Sequence, residues 1–395
     1  MTRSLPAPKD DFIGLEGKVH LATGGEPPLL KAHHTAFECF AHDKAVGFPG
    51  YHRHWDMVDT VRVRLARWTA LQADEIALLA NASEAIMWVV ASIDWQAGDN
   101  VVVPELDYAS GRYAMASLKA RGVELRLVPA EGWSWSADRL LDACDGRIRL
   151  VYISQVNALT GQHADTAAVA AALGETPTAL MVDVSHALGA VPVRGDEADF
   201  LVSCCYKFAL GVHEGILGRN RRRRPDFIPA GVGWFSATPG ATPGEFRRKP
   251  DARAAEYGNV GHLGAYLLRE SLNYLDGFGI EAIATRLRTL SGRLVEGMTA
   301  LGLDVMTPAE PARRAASAAF ADAETDVIMR RAAEDGTLIW GDNGRIRAST
   351  HVFTTDEDVA TFLDRLPAYL GRGYLSPPSP AASRRCGRSS PSWSP

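Results

Sequence analysis

The residues best placed to do chemistry fall in one stretch, 179–220, which reads ALMVDVSHALGAVPVRGDEADFLVSCCYKFALGVHEGILGRN. It holds two apolar runs of strand length, one followed by Asp183 and His186, the other by Tyr206 and Lys207. Each polar cluster therefore stands where a buried strand emerges, and open α/β sheets bind ligands at such ends. A lysine flanked by Cys and Phe is costly to bury unless it has a covalent or ionic use. An acid at the end of the neighbouring strand suits the cationic ring nitrogen of a bound heterocycle.

The elements around this stretch repeat a strand–helix rhythm. Strands are expected at 74–79, 100–105, 123–129 and 147–155, and helices at 85–93 and 164–173. Repeats of this kind predict a mainly parallel sheet covered by helices on both faces. Ala82 and Ser83 open the 85–93 helix, whose free N–H groups and positive dipole end suit a phosphate. Taken alone, this is a capped helix and no more. Tyr108 stands at another strand end, where its ring could stack on a flat ligand or fill a core. In the loop after 147–155 lie Asn157 and Thr160. Gly24 and Gly25, in GGEPP, let backbone come close to something. Lys31–Leu71 has a helical pattern, and the aromatic and His-rich segment Gly47–Trp55 is expected to break it as a loop. Past Asn220 the rhythm ends. A helix through Leu275 is followed by mixed helix and strand patterns over 280–370, with Arg347 on a strand and Thr355-Asp356 at a helix cap.

The chain of 395 residues suits one large domain with a smaller one appended. The expected division is an N-terminal arm (1–30) that joins the small domain, a large domain (31–275), a small α+β domain (276–370) and a disordered tail rich in Ser, Pro and Arg (371–395). A net charge of −5 offers no basic face for nucleic acid, and the Arg221–Arg224 run reads as a solvated loop. No apolar run approaches the ~20 residues that span a bilayer. Five cysteines in no metal-ligand or disulfide spacing fit a reduced, cytoplasmic setting, and no metal site is expected.

Taken in order, a phosphate-type helix start, an Asp at one strand end and a Lys at the next resemble the class V aminotransferase superfamily of fold-type I pyridoxal phosphate enzymes. Its members include kynureninases, cysteine desulfurases and carbon–sulfur lyases. The resemblance spans about 15–370, and its most specific piece is DVSHALGAVPV followed by DFLVSCCYK. It implies an α/β fold with a seven-stranded, mainly parallel sheet between helices. It implies Lys207 as the Schiff-base lysine, Asp183 as the partner of the pyridine nitrogen, and His186 and Asn157 near the cofactor's phenolic oxygen. Ala82, Ser83 and Tyr206 would hold the phosphate, with help from Ser203, and Tyr108 would stack on the ring. Asn259, in EYGNVG, takes the place of a Thr that reaches the phosphate of a neighbouring subunit, which implies a homodimer with shared sites. Arg347, in RxSxH, would pair with the substrate carboxylate; a guanidinium fork suits that planar anion.

The resemblance narrows the reaction only in part. Cysteine desulfurases carry a nucleophilic Cys shortly before the Arg strand, and 332–347 (AAEDGTLIWGDNGRIR) has none. Kynureninase motifs are closer in GVGWFS and EYGNVG, yet Asn259 and Ala254-Ala255 depart from them. Elimination of a sulfur-linked group from a cysteine conjugate in specialised-metabolite, for instance antibiotic, biosynthesis is the expectation. Transamination, decarboxylating deamination, epimerisation, kynureninase-like hydrolysis and a non-catalytic cofactor-binding role are the alternatives.

Overall fold

The computed structural model describes residues 3–174 and 176–371. Apart from Gly371, the tail expected to be disordered lies outside the described residues. The chain begins with β1 (Val19–His20), α1 (Ala32–Ala45) and α2 (Phe48–Thr69). Then come β2 (Ile76–Leu79), α3 (Ala82–Ser92), β3 (Asn100–Pro104), α4 (Ala109–Ser117), β4 (Glu124–Val128), α5 (Ala137–Asp142), β5 (Ile148–Ser154), α6 (Thr166–Leu173), β6 (Ala179–Asp183), β7 (Phe200–Cys204) and β8 (Gly215–Arg219). A hairpin, β9 (Ala237–Pro239) and β10 (Phe246–Arg248), precedes α7 (His262–Asp276) and α8 (Ile280–Ala300). The last elements are β11 (Asp304–Val305), β12 (Ser317–Ala321), α9 (Thr325–Glu334), β13 (Thr337–Leu338), β14 (Trp340–Asp342), β15 (Arg345–Ser349) and α10 (Asp356–Tyr369).

The main sheet has seven strands in the order β2-β8-β7-β6-β5-β3-β4, and only β8 runs against its neighbours. The apolar runs form its middle because both of their faces are covered. Val151 and Ile153 of β5 enter one core, with Leu180 and Val182 of β6. Their alternates Leu150, Tyr152, Ala179 and Met181 enter the core on the opposite face, under α3 and α4. This period-two division is why these strands read as continuous hydrophobic runs rather than as alternating ones.

Behind α8, α9 and α10 lies a four-stranded antiparallel sheet, β11-β12-β15-β14, with its own core of Leu290, Leu294, Met298, Phe320, Ile346 and Phe362. The N-terminal segment joins it: β1 pairs in parallel with β13, and Ser349 N–H donates to Leu21 O at 2.6 Å. Thr355 caps α10 as expected, accepting from Asp358 N–H while Asp358 accepts from Thr355 N–H. No helix of the described residues is long and apolar enough to cross a membrane.

Two expectations change. Gly47–Trp55 is not a loop: the break is confined to Val46–Gly47, and α2 starts at Phe48. Gly47, at φ 67°, turns the corner, and Pro49 sits in the first turn, where its missing N–H costs nothing. Gly50 is needed because a Cβ there would lie 1.6 Å from Asp43 O, the end of α1. The Arg221–Arg224 run is also less free than expected. Arg221 pairs with Asp74, and Arg223 and Arg224 pair with the buried Asp199, which ties the turn after β8 to the end of the sheet.

Candidate active site

β2, β6 and β7 run in one direction, so their C-terminal ends share one edge of the sheet. Asp183 closes β6, Cys204 closes β7, and α3 begins just past β2. A cavity of about 570 Å³ opens there, lined on the side of the seven-stranded sheet by Ala82, Ser83, Tyr108, Asp183, His186 and Lys207. From the other side come Gly24, Gly25, Trp340, Asp342, Arg345 and Arg347.

Lys207 Nζ lies 3.0 Å from His186 Nε2 and 5.3 Å from the centre of the Tyr108 ring. Burial, then the charges of Lys207 and Arg347, pushes His186 well below the usual imidazole range, so the ring is neutral at pH 7. A neutral Nε2 that accepts from the lysine carries its proton on Nδ1. The turn bearing His186 is shaped by Gly189, whose φ is 92° and whose Cβ would meet Phe208 O at 2.1 Å. The glycine thus lets the segment after Asp183 pack against the segment after Lys207.

Asp183 is buried, 4 % exposed, and its oxygens are fixed separately. One accepts from Ser185 N–H at 2.8 Å, and the other from the Tyr152 hydroxyl at 2.9 Å. A second buried carboxylate, Asp107, accepts from Tyr108 N–H and from both the N–H and the hydroxyl of Ser154. Burial pushes Asp107 up to about 6 despite these bonds, and Asp183 adds to the rise. At the phosphate-type corner, Asn81 caps α3 by accepting from Glu84 N–H, and the Ser83 hydroxyl bonds to that of Ser110 at 2.9 Å. Helix N–H groups and two hydroxyls thus meet at a positive dipole end.

Arg347 and Arg345 are each 3 % exposed and both donate to Ala158 O, at 2.5 and 2.7 Å. Burial, then the neighbouring Arg345, pulls Arg347 down to about 9, only partly offset by the Asp342 charge. Opposite it, a Cβ on Gly24 would lie 2.9 Å from Arg347 Nη2, and one on Gly25 would lie 2.2 Å from the Trp340 ring. The backbone that GGEPP brings close is therefore packed against the Arg347 and Trp340 end of the cavity.

The pattern of the family described as Aminotransferase class-V matches residues 50–362. The chain belongs to that family. A probable cysteine desulfurase of Methanothermobacter thermautotrophicus is 24% identical over 340 residues, 79% of this chain and 83% of the relative. The kynureninase of Eremothecium gossypii is 32% identical over 191 residues, which is 43% of this chain and 42% of that enzyme. Among solved structures, a cystine C–S lyase in complex with its product cysteine persulfide superposes with TM-score 0.82 at 21% identity, covering 90% of this chain and 98% of the other. The apo cysteine desulfurase of Thermococcus onnurineus NA1 gives TM-score 0.85 at 16% identity over 94% of this chain and 99% of the other. These similarities bear out the expected class-V family and its α/β fold with a mainly parallel seven-stranded sheet.

Of the class-V residues expected at the site, Lys207, Asp183, His186, Ala82, Ser83, Tyr108, Tyr206 and Arg347 line the one cavity. Three do not. Ser203 faces away: its hydroxyl donates to Cys204 O at 2.8 Å, and strand alternation puts Cys204 on the cavity instead. Asn157 sits behind the wall, donating to Leu106 O and accepting from Leu159 and Thr160 N–H, so it shapes the loop that carries Ala158. Asn259, expected at the neighbouring subunit's phosphate rather than in this cavity, is exposed and accepts from the Tyr51 hydroxyl at 3.0 Å. The donor set fits pyridoxal phosphate: an amine, a fixed carboxylate, an N–H-rich helix start and an arginine without a carboxylate partner among the described residues face one space.

Tyr152, Asp107, Ser154 and Arg345 were not singled out from sequence. Arg345 carries a usable signal, being two residues from Arg347 on a strand and hence on the same face. Asp107 repeats the pattern of Asp183, an acid just past a strand. Tyr152 carries none, since its ring lies inside an apolar run.

Proposed function

We propose that the protein is a pyridoxal phosphate-dependent carbon–sulfur lyase that releases a sulfur group from the β-carbon of an amino acid. The observation that carries this reading is the meeting, in one cavity, of Lys207 held by a neutral His186, the fixed carboxylate of Asp183 and the anion-lacking Arg347. When bound, pyridoxal phosphate supplies an electron sink for negative charge at the substrate α-carbon. Lys207 would hold it, Asp183 would pair with its ring nitrogen, and the α3 start with Ser83 would receive its phosphate. Arg347 binds the substrate α-carboxylate as a fork, which orients the α-carbon toward Lys207. The Lys207 amine moves the proton at that carbon, with His186 Nε2 steering it.

The choice of elimination over sulfur transfer rests on the β13–β15 region. Its cavity-lining residues are Trp340, Asp342, Asn343, Arg345 and Arg347, none able to carry a persulfide. The lining cysteine, Cys204, is buried and its thiol is pushed up by that burial, which disfavours the nucleophilic thiolate. Loss of the sulfur group to solution follows. The departures from the kynureninase motifs at Asn259 and Ala254-Ala255 favour a specialised substrate over a housekeeping one.

Asn259 stands with the exposed Trp234, Tyr257 and Phe246 outside the cavity, and a second copy of the chain is the occupant we propose for that surface. Borohydride treatment of the yellow holoenzyme, run as a dimer in light scattering, should add the reduced cofactor mass to the peptide containing Lys207. The Lys207→Ala protein should show no adduct, and a cysteine conjugate should yield pyruvate and free thiol only with the wild type. An adduct on another lysine, or keto acid that appears only with an amino acceptor, would overturn the reading.

A further inference from the structure

Asp183 accounts for the charge at the end of β6, yet a second carboxylate, Asp107, is 0 % exposed behind the same cavity and has no part in the reading above. Its place follows from a gap in the sheet. The β3–β5 ladder runs only as far as Val102 opposite Val151, although β3 continues to Pro104 and β5 to Ser154. Past the last rung the Asp107 carboxylate takes over. Its Oδ2 accepts from Ser154 N–H at 2.8 Å, and its Oδ1 accepts from the Ser154 hydroxyl at 2.5 Å and from Tyr108 N–H at 2.7 Å. One buried anion thus fixes both the last residue of β5 and the residue whose ring centre stands 5.3 Å from Lys207 Nζ. Ser154 is also the register partner of Asp183 on β6, and its hydroxyl neighbours that of Tyr152, the donor to Asp183.

The groups that bear on Asp107 are Tyr108 N–H and Arg112 from the start of α4, Ser154 and Tyr152 from β5, and Asp183 from β6. Arg112 Nε reaches the Asp107 carbonyl at 2.9 Å, and among the described residues no cation pairs with the carboxylate. Three donors suit an acceptor with two oxygens, but they leave its charge without a counter-charge. Ser154 and Asp183 both line the cavity, so the cavity is where a cation can stand near it. We infer that Asp107 is a positioning residue: it sets the Tyr108 ring over the cavity and adds a second negative charge behind Asp183, so that two carboxylates hold the proton on the ring nitrogen of the bound cofactor. The cation of this inference rests on the pyridoxal phosphate reading above, whereas the coupling of the two carboxylates belongs to the apo-protein. Burial pushes Asp107 up to about 6, the Ser154 and Tyr108 donors restrain the rise, and the Asp183 charge adds to it. The second charge is therefore present at pH 7 and lost as pH falls through about 6.

Infrared titration of the apo-protein should show a protonated-carboxyl band that grows as pH falls through about 6 and that Asp107→Asn removes. Asp183→Asn should move that midpoint down, because a neighbouring anion is gone, and Ser154→Ala should move it up, because a donor to the charged form is gone. In the holoenzyme, the pH at which the bound chromophore loses its proton should fall by about one unit in Asp107→Asn, which deletes a nearby negative charge. It should stay near the wild-type value in Ser154→Ala, which keeps that charge. A chromophore midpoint that Asp107→Asn leaves unmoved would make Asp107 a structural acceptor only and would overturn the inference, as would a carboxyl band indifferent to Asp183→Asn. Absence of the Lys207 adduct in the wild type would instead refute the cofactor reading, so the two failures are distinguishable. Asp107→Asn leaves a buried donor unpaired, so its melting temperature is measured beside the others; the band shifts in Asp183→Asn and Ser154→Ala decide the coupling even where that variant does not fold.

Discussion

Tyr152 shows how far one side chain can control the site without touching its open space. Its hydroxyl is the donor to one oxygen of Asp183, and its ring is fully buried under α4, where a Cβ on Gly111 would lie 2.1 Å away. A hydrogen bond to a charged acceptor contributes about 1.5–3 kcal/mol. Tyr152→Phe keeps the ring and removes only the donor, so it frees one oxygen of Asp183 to rotate. Cofactor retention should weaken about 10–100-fold by the same energy, measured by titrating pyridoxal phosphate into apo-protein and following the chromophore. Unchanged affinity would show that Ser185 N–H alone fixes Asp183. The residues at this scale divide by legibility. Lys207 and Asp183 were readable because polar groups interrupt apolar runs at strand ends, and Arg347 because RxSxH resembles the class-V pattern. Tyr152 was not, because a tyrosine inside such a run is indistinguishable from packing until the register places it beside Asp183.

At the level of elements, the parallel strands were legible because burial on both faces leaves uninterrupted apolar runs, and the α3 start because Asn81 and Ser83 follow such a run. The start of α2 was not. Glycine, proline and alternating histidines all signal a break locally, whereas helix formation there depends on the tertiary corner between α1 and α2. The N-terminal segment is the opposite case, since its two glycines announced close approach but not against what. That contact is testable. Gly25→Ala would put a Cβ 2.2 Å from the Trp340 ring, and overpacking of this kind costs about 1–3 kcal/mol. The segment lies against Trp340 and, through Gly24, Arg347, so the variant should lower amino-acid affinity at least tenfold while cofactor retention, which depends on the other wall, changes less. Equal loss of both in a titration would mean that the segment holds both walls of the cavity together rather than the substrate end.

For the whole molecule, the balance of buried titratable groups sets the stability profile. His20, His33 and His351 are 7 %, 3 % and 0 % exposed, and burial lowers each to about 4. A base whose folded pKa lies below its unfolded value of ~6.5 contributes stability fully above pH 6.5, and that contribution is lost as pH falls through 4. Each shift corresponds to at most about 3 kcal/mol. Asp107 works the other way. Its folded pKa of about 6 lies above the unfolded carboxylate value, so the native state gains stability as pH falls from 6 toward 4. One such acid offsets about one of the three histidines, and the net slope keeps the sign of the histidines. Denaturant unfolding of the apo-protein should therefore show stability nearly flat from pH 7 to 8 and falling steeply from 6.5 to 4. His351 anchors this limb, since its Nε2 lies 2.9 Å from Phe208 O and its ring stacks between Phe208 and Phe353. His351→Gln, which can still donate to that carbonyl but cannot charge, should shrink the acid loss by one histidine's share, at most about 3 kcal/mol. An acid limb of unchanged depth in the variant would assign it to the surface carboxylates instead.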